Sequence, residues 1–162
     1  FISRWDGATA KTLPPELVNR LGIAVGELSY QAYRDLLASD RFERLCNSGA
    51  VPQRLLFAST GTKDPKLSES LYIEALAAPN TINTMPEKTL HAFAEHGRVT
   101  ATLSAGGGMA DSTIFAIERA GVDVAALGAK LQKDGAESFV KSWDELLSVI
   151  EAKSRAVAGT GA

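Results

Sequence analysis

The 162-residue sequence holds a single cysteine, Cys46, and only two histidines, His91 and His96. One cysteine cannot form an internal disulfide, so a reducing compartment, the cytoplasm, is the expected setting. Cys46 has no basic cluster beside it and reads as a packed thiol. The histidines stand five apart, whereas two ligands sharing a helix face stand three or four apart. Exposed or capping roles suit them, and no metal site is expected. No Ser/His/Asp constellation is present. An excess of one charge is also missing: 17 basic residues face 19 acidic ones, a formal charge of −2. A nucleic-acid partner would need a basic face, so none is expected. No apolar run approaches the roughly 20 residues that cross a bilayer, so no membrane partner is expected either. The sequence opens Phe1-Ile2-Ser3-Arg4, without Met or a basic leader, as if inside a buried strand. The expectation is a C-terminal piece of a longer protein.

What is present reads as alternating helices and short strands. From Glu16 to Leu37, apolar residues at Leu17, Leu21, Val25, Leu28, Ala32 and Leu36 give one amphipathic stripe. Pro14 and Pro15 fit its first turn. Asp40 and Glu43 fit a capping pattern for a short second helix, and Gly49 its stop. Arg54–Ser59 is a nearly continuous apolar run, the pattern of a strand covered on both faces. A helix around Ser68–Ala77 and a strand over Thr81–Thr84 follow. Thr84-Met-Pro-Glu87 matches a capping box for a helix that Gly97 stops. Val99–Ser104 reads as a connector and Gly106–Gly108 as a joint. Asp111 and Gly121 bracket one helix; Asp123 and Gly135 bracket the next. Ser142-Trp-Asp-Glu145 is a second capping box, opening a helix with a packing stripe of Trp143, Leu146, Leu147 and Ile150. Residues 156–162 read as a frayed terminus or linker.

Parallel strands need helical crossovers, so the class is α/β. The strand candidates are 1–3, 54–59 and 81–84. These are too few to close a barrel of about eight strands. Either the sheet is small and open, or further strands lie upstream; the abrupt opening favours the second. Residues 1–105 would then hold the last strands and helices of a barrel, 106–157 a helical segment, and 158–162 a tail.

Ser59-Thr60-Gly61-Thr62-Lys63 is the strongest candidate for chemistry. It joins hydroxyls, a glycine and a cation at the carboxyl end of a strand, where amides and hydroxyls converge on an anion. In barrel enzymes, loops after the seventh and eighth strands often form a phosphate site. The plainer alternative is a polar connection with a solvated Lys63. Arg4, ending the first strand candidate, would share that face, and its guanidinium suits a phosphate. An ion pair with Asp6 is its alternative.

Several segments resemble one family. They are Phe1-Ile-Ser-Arg4, Gln53-Arg-Leu-Leu-Phe-Ala-Ser-Thr60 with Lys63-Asp-Pro65, and Asn83-Thr-Met-Pro-Glu-Lys-Thr-Leu90 with Glu95-His-Gly97. In this order they resemble the carboxyl-terminal half of transaldolases. The subfamily is that of actinobacteria, cyanobacteria and plants, sometimes fused to a glucose-6-phosphate isomerase. Gly121-Val-Asp-Val124 and the stretch Leu131 to Leu147 are similar to its final helices. The resemblance implies the C-terminal part of a (β/α)₈ barrel of class I aldolase type, followed by C-terminal helices. It implies transfer of a dihydroxyacetone unit from sedoheptulose 7-phosphate to glyceraldehyde 3-phosphate through a lysine Schiff base, without a cofactor. An iminium is an electron sink, so the carbon–carbon bond breaks toward an enamine while a carboxylate moves protons. No catalytic residue is expected in this chain, because the family's lysine motif is absent from it. The phosphate end is what matches. Arg4 corresponds to the family's phosphate-binding arginine, Ser59 to its serine after strand seven, and Phe1 to an aromatic lining the pocket, with Thr60 beside it. A second arginine, usual two residues beyond the serine, is replaced by Gly61, and Lys63 is the candidate substitute. The implied partners are phosphorylated sugars and a fused or associated glucose-6-phosphate isomerase domain. Two rivals remain: another Schiff-base sugar-phosphate aldolase, and a non-enzymatic helical interaction module.

Overall fold

The computed structural model describes residues 2–62 and 64–159. The elements in chain order are α1 (Ile2–Thr9), α2 (Leu21–Leu37), α3 (Asp40–Asn47), β1 (Leu55–Phe57), α4 (Leu71–Ala75), β2 (Thr81–Asn83), α5 (Glu87–His96), α6 (Ala110–Arg119) and α7 (Val124–Gly159). They fall into two compact units, Phe1–Val122 and Asp123–Ala162.

In the first unit β1 and β2 pair in parallel, with Leu55 opposite Thr81, Leu56 opposite Ile82 and Phe57 opposite Asn83. The expected α/β class and its crossover through α4 are therefore present, in a mostly helical setting. Tyr30 and Tyr33 of α2, Phe57 of β1, Tyr72 of α4 and Leu76 form the core, with Ile23, Leu37, Leu55, Leu71, Ala78 and Leu103 packed against it. The chain approaches closely where α2 meets Leu76, because a Cβ on Gly26 would overlap the leucine.

Several expectations need correction. The strand expected over 1–3 is helical from Ile2, and Phe1 lies outside the described residues. A strand needs a neighbour for its backbone groups; here α1 instead satisfies its own and packs on α2. The helix expected from Glu16 starts at Leu21, because Asn19 adopts a left-handed φ of 61° that ends any helical run through it. Its buried face is Leu21, Gly22, Ala24, Gly26, Tyr30 and Tyr33, while Ala32 and Leu36 of the expected stripe are exposed. Small residues let α2 approach its neighbours, and the tyrosines fill the space. β1 is shorter than 54–59 and is not covered on both faces: Leu56 is 49% exposed, and its partner Ile82 41%. Thr84 does not cap α5. Pro86 holds the N-cap position in extended conformation, and the residue before a proline is steered away from helix.

The second helix forms, but its cap is Ser39, which accepts from the Phe42 amide, and not Asp40, which is already the first residue of α3. Other expectations hold. Gly49, at φ 95°, closes α3: its N–H donates to Cys46 O while the Ala50 N–H donates to Leu45 O. Gly97 ends α5, and residues 99–104 form a connector.

The second unit is one helix. Asp123 caps it, accepting from the Ala126 amide at 2.8 Å. The expected stop at Gly135 and restart at Ser142 do not occur. One glycine costs a helix only about 1 kcal/mol, and no proline follows Pro86 to break it. Trp143, Leu146, Leu147 and Ile150 form the expected stripe but are exposed. The helix reaches Gly159, into the segment expected to be a tail, and residues 160–162 lie outside the described ones.

The buried Asp6 joins three helices. Its Oδ1 accepts from the Gly22 amide at 2.9 Å and its Oδ2 from the Tyr72 hydroxyl at 2.6 Å. Burial raises its pKa above the ordinary aspartate value, against the lowering effect of these bonds. Burial and the adjacent carboxylate push the Tyr72 phenol far up, so it stays protonated and donates. Removing that donor in Tyr72→Phe leaves Oδ2 short of a partner and should cost about 1–3 kcal/mol in urea unfolding. The folded state holds the Asp6 proton more tightly than the unfolded chain does. Stability contributed at this site therefore falls as pH rises from the ordinary aspartate value through the raised one. Asp6→Asn should flatten that part of the stability–pH curve; an unchanged curve would refute the assignment.

Candidate functional site

The loop after β1 is set by its neighbours at the carboxyl ends of both strands. Beyond the last paired residues, the Thr84 amide donates to Phe57 O at 3.0 Å. Two residues later Ser59 takes a left-handed φ of 58°, which costs a side-chain-bearing residue about 1–2 kcal/mol. The turn leaves Ser59 exposed and carries Thr60 inward, where it is fully buried. Thr60 Oγ1 lies 2.7 Å from Asn83 Oδ1 and 2.9 Å from Thr84 O. A hydroxyl has one proton to give. Turning the Asn83 amide lets its nitrogen donate to Thr60, which then donates to Thr84 O.

The loop then crosses the start of α5. A Cβ on Gly61 would sit 3.4 Å from both Pro86 Cγ and Thr89 Oγ1. Thr62 Oγ1 donates to Ser68 O at 3.2 Å, and Asp64 Oδ1 accepts from the Lys66 amide at 2.9 Å. The loop is thus pinned on each side of Gly61. It offers an exposed hydroxyl beside a helix start, an arrangement suited to an anion. Among the described residues no group of His, Cys, Asp or Glu could hold a metal ion.

The expected site residues are divided. Ser59 and Thr60 sit together at the strand ends, with Thr60 buried. Lys63 and Phe1 lie outside the described residues. Arg4 is exposed on α1, not at the end of a strand. Asp6, on the same helix, points inward to Gly22 and Tyr72. His91 and His96 are exposed, facing Glu87 and Glu95 at 3.7 and 3.4 Å. Tyr30 and Tyr33 are core residues, with ring centroids 6.4 Å apart. Asn83 and the Thr84 backbone were given no role from sequence. The signal was available: a side-chain amide at the carboxyl end of a strand that precedes a helix.

A profile of the family described as Transaldolase/Fructose-6-phosphate aldolase matches residues 1–150. The chain belongs to this family. A Saccharopolyspora erythraea protein named Transaldolase is 42% identical over 156 residues, covering 93% of this chain and 43% of that protein. One of the same name from Renibacterium salmoninarum is 41% identical over 159 residues, covering 93% and 42%. Another, from Mycolicibacterium smegmatis, is 43% identical over 136 residues, covering 83% and 37%. The chain therefore spans less than half the length of these transaldolase relatives.

The strain at Ser59 in this transaldolase-family chain is measurable. Ser59→Gly removes the steric penalty but loosens the unfolded chain, which offsets part of the gain. The net should be stabilising, by up to about 1 kcal/mol, read from the urea midpoint. A destabilised variant would show that the strain released is smaller than the unfolded-state cost of the glycine.

Proposed function

We propose that this chain is the phosphate-binding, carboxyl-terminal portion of a transaldolase, contributing the last two strands of a (β/α)₈ barrel of class I aldolase type. The full-length enzyme transfers a dihydroxyacetone unit from sedoheptulose 7-phosphate to glyceraldehyde 3-phosphate through a lysine Schiff base. The observation that carries this reading is the joint end of β1 and β2. There the Ser59 loop and the start of α5 lie side by side, matching the general position of phosphate sites after the seventh and eighth strands of such barrels. The names of the relatives and the match over 1–150 support it.

Ser59 supplies a hydroxyl to the phosphate, Arg4 and Lys63 are the proposed cations, and Phe1 lines the pocket; Thr60, expected to line it as well, is fully buried and lies behind Ser59 instead. The Schiff-base lysine belongs to the remainder of the enzyme, so the chain alone is inactive. A cytoplasmic setting agrees with the lone, free Cys46 and with the absence, among the described residues, of any helix long and apolar enough to cross a membrane. A sugar-phosphate aldolase of the same family would release free dihydroxyacetone, whereas a transaldolase passes it to an aldehyde acceptor. Product analysis separates the two.

In the full-length enzyme, Arg4→Ala and Ser59→Ala should each raise KM for phosphorylated sugars. Loss of a hydrogen bond to a charged group is worth about 1.5–3 kcal/mol, or roughly 10- to 150-fold. Borohydride should trap substrate on a lysine of the full-length enzyme and on none of this chain's lysines. Unchanged KM in both variants would remove the phosphate assignment.

A further inference from the structure

Ser59 is bracketed by one residue of the neighbouring strand end. The Thr84 amide donates to Phe57 O, two residues before Ser59, and the Thr84 carbonyl accepts from Thr60, one residue after it. Asn83 adds a side-chain contact to the same Thr60 hydroxyl. A residue held left-handed against its own sterics persists only where its surroundings fix the backbone on each side. Here the two fixed points are the Phe57 carbonyl and the Thr60 hydroxyl, and both end on Thr84. The burial pattern agrees, since Thr60 is wholly enclosed while Ser59 is exposed.

We infer that Thr60 and Asn83 are positioning residues, which hold the Ser59 hydroxyl where it meets the substrate phosphate. The inference rests on the phosphate reading above and adds two residues that touch no substrate. Thr60→Val keeps the shape but removes the donor to Thr84 O and the contact with Asn83. Thr60→Ser keeps the hydroxyl.

The test uses the full-length enzyme with glyceraldehyde 3-phosphate and with unphosphorylated glyceraldehyde as acceptors. Thr60→Val should raise KM for the phosphorylated acceptor about tenfold, comparable to one lost hydrogen bond, with kcat within about twofold. KM for glyceraldehyde should be unchanged, and Thr60→Ser should restore the wild-type value. Asn83→Ala should show the same selective rise, and it carries the test if Thr60→Val does not fold. Equal losses on both acceptors, or no recovery in Thr60→Ser, would reduce the pair to a structural role and overturn the inference. Ser59→Ala separates the two levels. If it leaves KM unchanged, the phosphate reading falls, and the inference with it. If it raises KM while Thr60→Val and Asn83→Ala do not, only the positioning role falls.

Discussion

The Asp6 carboxylate is the constraint on which the first unit turns. Taking a carboxylate out of water is costly unless donors replace the solvent. The two donors are the Gly22 amide at the start of α2 and the Tyr72 hydroxyl on α4, the latter 66 residues away in sequence. No local preference could bring these groups together, so the contact defines how α1, α2 and α4 meet. Tyr72 is also a core residue, packed in the cluster with Tyr30, Tyr33, Phe57 and Leu76. The same side chain thus ties the buried charge to the strand that leads into the candidate site.

From that anchoring the site follows by geometry. α4 lies on the crossover between β1 and β2, and parallel pairing brings their carboxyl ends to one edge. Phe57 and Asn83 are the last paired residues, so the next residues of each strand must turn away beside one another. Thr84 then has its amide toward Phe57 and its carbonyl toward Thr60. The strained turn at Ser59 is a consequence of this register, since a slip by one residue would turn Thr60 away from Asn83.

The parts legible in the sequence were those set by local chemistry. Gly49 and Gly121 close their helices because a left-handed residue is needed there, and glycine meets that need at least cost. The apolar run at 55–57 and the Thr81–Asn83 stretch were recognisable as strands. What failed depended on partners distant in sequence. The opening stretch has strand-like composition, but from Ile2 onward the chain is helical, and Asp6 on that helix accepts from the Gly22 amide of α2. The face of α2 could not be chosen by counting leucines, because Gly26 lets the helix approach Leu76 closely while Tyr30 and Tyr33 fill the core beside it. Capping signals at Thr84 and Ser142 were overridden, the first by Pro86 and the second by uninterrupted helix propensity. Asn83 carries a local signal, a side-chain amide at the carboxyl end of a strand, but its pairing with Thr60 is set by the fold.

The surface of the small sheet bears on the proposed reading. Parallel strands ordinarily lie buried on both faces, yet the paired Leu56 and Ile82 are about half exposed. Two neighbouring apolar side chains on one face of a sheet form a patch that favours cover. The residues opposite them in alternation, Leu55 and Phe57, already face the core. A chain whose relatives are more than twice its length has an evident source for that cover in the rest of such a protein. On the barrel reading, this uncovered pair and the Ser59 turn are two aspects of one arrangement: the strands bury apolar residues along their length and present polar groups only at their carboxyl ends. The change of surroundings over four residues, from buried Phe57 to exposed Ser59 to enclosed Thr60, brings polar groups to the edge of an apolar sheet.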